Sequence, residues 1–243
     1  MKEASNRRFE AAQTAYGRFK LTLRVKSRWY FWRAVVRSRS AIKRAFDLVA
    51  ASILLCLTSP IFLGLALFIR KDGGPVFFKQ VRIGLLGQEF KMYKFRSMRV
   101  DAEKHLEALL KQNEKAGGVT FKMENDPRVT PVGKFIRRCS LDELPQLINV
   151  IKGEMSLVGP RPPVPREVAL YSQEDRWRLY IKPGITCLWQ VGERQGKVWE
   201  IGDRNEIDFP EQVGLDVRYI ENRSLRKDFW ILVKTIPALL FGK

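Results

Sequence analysis

Asp142 and Glu143 stand side by side in Cys139-Ser140-Leu141-Asp142-Glu143-Leu144-Pro145, directly behind Arg137 and Arg138. Ser140 and Glu143 have the S-x-x-E spacing of a capping box, in which both side chains satisfy free amides at the start of a helix. Pro145 removes a further amide in the same turn. Carboxylates placed where a helix N-terminus and two cations meet stay ionised. An ionised Asp can attack a phosphorus atom without a neighbouring base, and an adjacent Glu can hold Mg²⁺ against a diphosphate. A plain helix cap and a phosphoryl-transfer dyad are both open readings of these residues.

Phosphate, if bound, has to be held by isolated cations, because neither G-x-G-x-x-G nor G-x-x-x-x-G-K-[ST] occurs in the chain. The candidates are Lys94 and Arg96, Arg137 and Arg138, and Arg161 inside Pro160-Arg161-Pro162-Pro163. Guanidinium forks pair with phosphate oxygens in bidentate fashion, and flanking prolines stiffen the backbone that carries Arg161. A solvated loop arginine is the competing reading. His105 is the single histidine, set in a Lys/Glu/Leu stretch of helical periodicity, which excludes an HExxH zinc site and argues against a Ser-His-Asp triad. Cys56, Cys139 and Cys187 lie far apart with no CxxC spacing, so neither a disulfide framework nor a cysteine-built metal site is expected.

These residues need elements to position them. Val76–Ile83 and Glu89–Phe95 are rich in Val and aromatics and are separated by a Gly-Leu-Leu-Gly-Gln turn, which predicts a β-hairpin ending at Lys94 and Arg96. A polar amphipathic helix is expected over 101–116, stopping at Gly117-Gly118. Residues 125–133 read as a turn-rich connector. Helical patterns return at about 140–152, 165–180 and 211–240, with loops at 153–165 and 182–187.

The 243 residues carry 44 Lys and Arg against 26 Asp and Glu, a net +18, so the partner should be anionic: nucleic acid, anionic lipid or a polyphosphate. Residues 1–44 hold +11 of this, from 13 Lys and Arg against Glu3 and Glu10. Leu48–Ile69 is a run of 22 residues without a charge. At about 1.5 Å per residue a straight helix of that length covers about 33 Å, enough to cross a bilayer. Ser59-Pro60 interrupts it, and proline kinks or ends a helix. Two arms of about 15 Å could enter the hydrocarbon and return, and basic residues at both ends (Lys43 and Arg44, Arg70 and Lys71) suit two cytoplasmic ends. A kinked spanning helix is the alternative. Residues 16–39 interleave Tyr16, Phe19, Trp29, Tyr30, Phe31 and Trp32 with Arg and Lys, the composition of a helix lying at a lipid headgroup surface. A nucleic-acid arm would look similar, and the adjoining apolar run favours the membrane.

Taken together, FDLVAASILLCLTSPIFL, FKMYKFRSM, NDPRVTPVGKFIRR, SLDELPQLINVIKGEMSLVGPRP, RLYIKPGITCLWQV and NRSLRKDFWIL resemble the bacterial sugar transferase family, the monotopic phosphoglycosyl transferases. The resemblance covers about residues 41–242, in order. It implies a mainly helical α+β protein with a re-entrant membrane helix kinked at Ser59 and Pro60 (41–72) and a compact cytoplasmic catalytic domain (73–243); the basic amphipathic segment (1–40) lies outside it. It implies transfer of a sugar-1-phosphate from a UDP-sugar to polyprenol phosphate at the cytoplasmic face of the bacterial inner membrane. The products would be UMP and a polyprenyl-diphosphate-sugar that starts a surface glycan. By motif, Asp142 would be the nucleophile, Glu143 would bind Mg²⁺, and Lys94, Arg137 and Arg161 would hold phosphates or the nucleotide. Asp228 of SLRKD matches a late acidic position of the site.

Two departures bear on the sugar rather than the reaction: Cys187 stands where the family usually has glycine, and Gly192-Glu193-Arg194 replaces its Ser-Gly-Arg or Asn-Gly-Arg. The long tail over 195–243 resembles members that use UDP-glucose or UDP-galactose, with a UDP-N-acetylhexosamine as the alternative donor. Anionic lipid is an expected partner, nucleic acid is not, and a homodimer is left open. The rival from another class is a membrane-anchored anion-binding protein without catalysis.

Overall fold

The computed structural model describes residues 14–71, 73–102, 126–191 and 207–241. The helix expected over 101–116, its Gly117-Gly118 stop, His105, and the departure at Gly192-Glu193-Arg194 lie outside the described residues, apart from Asp101 and Ala102 at the helix start. The chain divides into two compact units, Met1–Phe46 and Asp47–Lys243. Among the described residues the architecture is mostly helical with two small sheets, hence α+β.

Helix α1 (Ala15–Arg70) contains Pro60, and its assignment is continuous through that residue. Proline has no N–H for the carbonyl four residues back, which here belongs to Cys56. The Ser59 hydroxyl donates to that same oxygen at 2.7 Å, and the Thr58 hydroxyl donates to the Leu54 oxygen at 2.7 Å. Local side chains therefore satisfy what proline leaves open, which is how a proline is tolerated within an apolar helix. The proline does not end the helix.

Within the unit that starts at Asp47, α1 is anchored to the rest of the fold at Asp47 and again toward its C-terminal end. Asp47 accepts from the Ser156 hydroxyl at 2.9 Å and from the Leu157 amide at 3.3 Å. Some twenty residues on, Leu65 and Ile69 pack with Phe95 and Ile136 in one buried cluster, joined by Phe62. Between these anchors Ile53, Leu57, Ile61, Leu63 and Leu67 are exposed. Ser40–Arg70 is long and apolar enough to cross a membrane.

The expected hairpin is present: β1 (Phe77–Ile83) pairs antiparallel with β2 (Glu89–Phe95), and Arg82 faces Phe90 while Phe78 faces Lys94. Side chains alternate across a strand, so Gln80 and Arg82 share one face with Met92 and Lys94, and Phe95 joins the α1 cluster from the other. The turn holds Leu86 at φ 54° and Gly87 at φ 82°.

The connector is shorter than expected, because Pro131 already begins helix α2 (Pro131–Arg138), whose Thr130 side chain accepts from the Gly133 amide at 2.9 Å. A Cβ on Gly133 would lie 1.8 Å from the Ser97 carbonyl oxygen, so this close approach of helix and strand end requires glycine. A 3₁₀ turn (Leu141–Glu143) and helix α3 (Gln146–Lys152) follow. The loops at 153–165 and 182–187 contain two short strands the sequence reading missed, β3 (Ser156–Val158) and β4 (Gly184–Thr186), paired in parallel. Gly159 and Gly184 touch across this pair, since a Cβ on Gly184 would lie 2.1 Å from the Gly159 nitrogen.

The stretch expected as one helix over 165–180 is a short helix α4 (Pro165–Ala169), a break, and a 3₁₀ segment (Asp175–Tyr180). In the break, Ser172 and Asp175 exchange side-chain bonds with each other's amides, which starts a new turn. Residues 211–240 likewise form two helices, α5 (Phe209–Glu221) and α6 (Leu225–Phe241), separated at Asn222-Arg223-Ser224.

Candidate active site

Lys94, near the end of β2, places its ammonium 2.9 Å from Glu143 Oε1 and 3.5 Å from Asp142 Oδ2. The hairpin and the segment after α2, 49 residues apart in sequence, thus meet at the carboxylate pair. Leu141 and Leu144 on either side of the pair pack against the Phe95 and Ile136 cluster, so the intervening turn is anchored at both ends. Asn149, fully buried, fixes the hairpin to α3: it accepts from the Tyr93 amide at 2.9 Å and donates to the Lys91 carbonyl at 2.8 Å.

Ser140 does not cap the turn. Its backbone is left-handed (φ 52°, ψ 21°) and its side chain makes no capping bond, whereas a cap residue has extended backbone. The reason lies upstream. Helix α2 ends on Cys139, and Ser140 takes the left-handed position that closes it, its amide donating to the Arg137 carbonyl at 3.0 Å. The S-x-x-E spacing at 140–143 is therefore a helix stop followed by a carboxylate-bearing turn.

Asp142 is 7% exposed, and burial, against the pull of Lys94 and with the added push of Glu143, raises its carboxyl above the usual range. Burial acts the same way on Glu143, but the Lys94 ammonium and its hydrogen bond outweigh it, and Arg161 and Arg82 add to the pull, so that carboxyl ends below its ordinary value. Arg137 donates through Nε to the Ser97 hydroxyl at 2.8 Å and acts on Asp142 from that position.

Arg161 lines the same pocket as Lys94, Glu143, Met92, Gln146 and Gln190. Its stiff backbone is braced on both sides. The Gly184 amide donates to the Pro160 oxygen at 2.9 Å, the Ile83 amide to the Pro163 oxygen at 2.9 Å, and Arg82 Nη1 to the Pro162 oxygen at 2.8 Å. Arg161 itself is exposed and makes no hydrogen bond or ion pair among the described residues.

The structure brings together Lys94, Asp142, Glu143, Arg137 and Arg161 in this way, and it places two other candidates elsewhere. Asp228 is 2% exposed on α6 and accepts from the Tyr219 hydroxyl of α5 at 2.6 Å, which makes it a buried clamp between the last two helices rather than a group facing the pocket. Arg96 donates to the Ile69 oxygen at 2.9 Å and the Pro75 oxygen at 2.7 Å, so it closes the C-terminal end of α1. Arg138 is exposed. The sequence reading missed Arg82 and Gln146, both buried pocket residues. The signal for Arg82 was the hairpin itself, whose period of two puts it on the face of Lys94.

The family profile described as bacterial sugar transferase matches residues 38–242. The chain belongs to this family. It is 47% identical over 200 residues to the galactosyl transferase CpsE of Streptococcus agalactiae, covering 82% of this chain and 42% of that protein. It is 44% identical over 205 residues to the exopolysaccharide production protein ExoY of Rhizobium meliloti, covering 83% and 86%. It is 42% identical over 207 residues to the undecaprenyl-phosphate galactose phosphotransferase of Salmonella typhimurium, covering 84% and 41%. The chain thus spans less than half the length of CpsE and of the phosphotransferase, and most of ExoY.

Proposed function

We propose that this bacterial sugar transferase moves a sugar-1-phosphate from a UDP-sugar to polyprenol phosphate at the cytoplasmic face of the inner membrane, with Asp142 as a covalent nucleophile. The observation that carries the reading is the Lys94 ammonium held against both Asp142 and Glu143 beside a pocket lined by arginines. An Asp142 oxygen attacks the sugar-bearing phosphorus, the P–O bond to the nucleoside phosphate breaks, and UMP leaves with that electron pair. The acceptor phosphate then attacks the same phosphorus and frees the carboxylate. Buried carboxylate and anionic diphosphate repel each other, and Lys94, Arg137 and Arg161 offset that repulsion.

Mg²⁺ fits this donor set. Magnesium is commonly held by one or two carboxylates plus substrate phosphates, and the partly exposed Glu143 supplies a hard oxygen at the pocket. No cluster of three or more metal-ligating side chains occurs among the described residues, so substrate oxygens would complete the shell. When bound, the ion would neutralise diphosphate charge.

The re-entrant reading of α1 is supported by its two anchors. Asp47 before the apolar run and Ile69 at its end both bind the unit that carries the site, so an intervening segment buried in lipid would return to the side it left. The names of two relatives specify galactose, which favours UDP-galactose, with UDP-glucose and UDP-N-acetylhexosamines as the other members of a donor panel.

Intact-protein mass spectrometry tests the nucleophile. Detergent-solubilised protein incubated with Mg²⁺, the donor panel and no acceptor should gain one phosphosugar and release UMP. Asp142→Asn, nearly isosteric, should do neither while keeping its fold. Glu143→Gln should still form the adduct, more slowly and with weaker dependence on Mg²⁺. A phosphosugar mass on Asp142→Asn would sink the assignment.

A further inference from the structure

We propose that Arg82 binds the phosphate that departs with the nucleoside, sharing it with Arg161 on the side of the carboxylate pair away from Asp142. The inference deepens the reading above and rests on it. Arg82 is 8% exposed, lies on β1 and lines the pocket with Arg161, Lys94 and Glu143. Three of its five N–H groups are committed: Nε and Nη2 donate to Gln80 Oε1 at 3.1 and 2.6 Å, and Nη1 donates to the Pro162 oxygen. One N–H on each Nη remains to donate to a phosphate.

No carboxylate lies within ion-pair distance of Arg82 among the described residues, although a buried cation is costly when unpaired. Arg161 is near enough to add repulsion, and burial together with that neighbour brings the Arg82 guanidinium down to about 10, so it stays charged at neutral pH. Glu167 and Glu143 act on Arg82 from beyond ion-pair distance and offset its charge only in part, so two guanidinium groups without a paired carboxylate at one pocket are stabilised further by an anion set between them.

Which anion follows from the division of the site. The cations that act most strongly on Asp142 are Lys94 and Arg137, while those that act most strongly on Glu143 are Lys94, Arg161 and Arg82. Glu143 lines the pocket with the two arginines and Asp142 does not. Displacement at phosphorus needs the leaving oxygen opposite the attacking one. The Arg82 and Arg161 side of the site therefore matches the phosphate of UMP, whose charge grows as the bond breaks.

The test compares equilibrium binding of UMP and uridine to the detergent-solubilised protein of residues 1–243, since their ratio isolates the phosphate. Arg82→Gln should leave uridine affinity unchanged and lower the preference for UMP at least tenfold. Arg82 could instead act only by bracing Pro162, and the double variant separates the two roles. In an Arg161→Gln background, Arg82→Gln should lower the preference again, whereas no further loss would reduce Arg82 to a brace and overturn the proposal. An unchanged ratio in Arg82→Gln also overturns it. Should Arg82→Gln not fold, Arg82→Lys carries the comparison: its preference should fall at least threefold, and a full preference would refute the assignment. Asp142→Asn should keep the UMP preference, so a missing adduct in the unaltered protein would indict the nucleophile alone.

Discussion

Asp142 faces a conflict between burial and charge. Burial and the neighbouring Glu143 raise its carboxyl above the ordinary range, while Lys94 and Arg137 pull it back toward ionisation. Only the ionised form attacks phosphorus, so the rate of adduct formation should fall on the acid side at a pH above the usual carboxylate range. Lys94→Met removes the largest of the lowering influences. The Asp142 carboxyl should then rise further, a smaller fraction should be ionised at any given pH, and the acid limb should move to higher pH. At neutral pH the rate should drop by about a hundred- to a thousandfold, the loss expected for one charge-stabilising group. Rapid-quench measurement of the adduct across pH checks this, and a limb that stays in place while the rate falls would assign Lys94 to the substrate alone.

The elements were legible where their pattern is local. The hairpin is readable because alternation, aromatic content and a Gly-Leu-Leu-Gly turn all act within twenty residues. β3 and β4 span three residues each and exist through pairing across a separation of 28, for which neither segment carries a signal of its own. Ser140 was misread because S-x-x-E spacing carries no information on φ, and the end of α2 claimed the residue first. Lys94, Asp142 and Glu143, which the structure places together, were singled out from their types and motifs, whereas Arg82 needed the cross-strand register and the placement of Asp228 needed the packing of α5 on α6. In α1 the Ser59-Pro60 pair offers a direct test of topology. Single cysteines at 43 and 71 should label equally from the cytoplasmic side in the unaltered protein. Replacing Ser59 by Leu and Pro60 by Ala restores an ordinary helical bond to the Cys56 carbonyl and should favour a straight crossing, leaving the two sites oppositely accessible. Opposite labelling without the substitutions would sink the re-entrant reading.

At the scale of the whole molecule, charge is divided unevenly along the chain. Residues 1–44 hold +11 and the remaining 199 only +7, and the second part includes the pocket cations Arg82, Lys94 and Arg161. In the described part of the N-terminal unit, Tyr16, Phe19, Trp29, Tyr30 and Phe31 are exposed among exposed Arg and Lys. Aromatic rings and basic heads on one helix suit an anionic lipid surface, where each cation contributes about 1 kcal/mol, less as salt rises. The candidate site residues, from Lys94 to Arg161, all belong to the other unit. Deleting residues 1–38 should therefore separate attachment from chemistry. Flotation with vesicles rich in anionic lipid should show weaker binding by the truncated protein, with the deficit shrinking at high salt as the screened contribution of the basic residues disappears. In detergent, where no charged surface is present, UMP release should stay within about twofold of the full chain, because the deletion removes electrostatic attraction and not the barrier-lowering groups. Loss of turnover in detergent by a truncated protein that keeps its circular dichroism spectrum would assign the segment a part in the reaction itself.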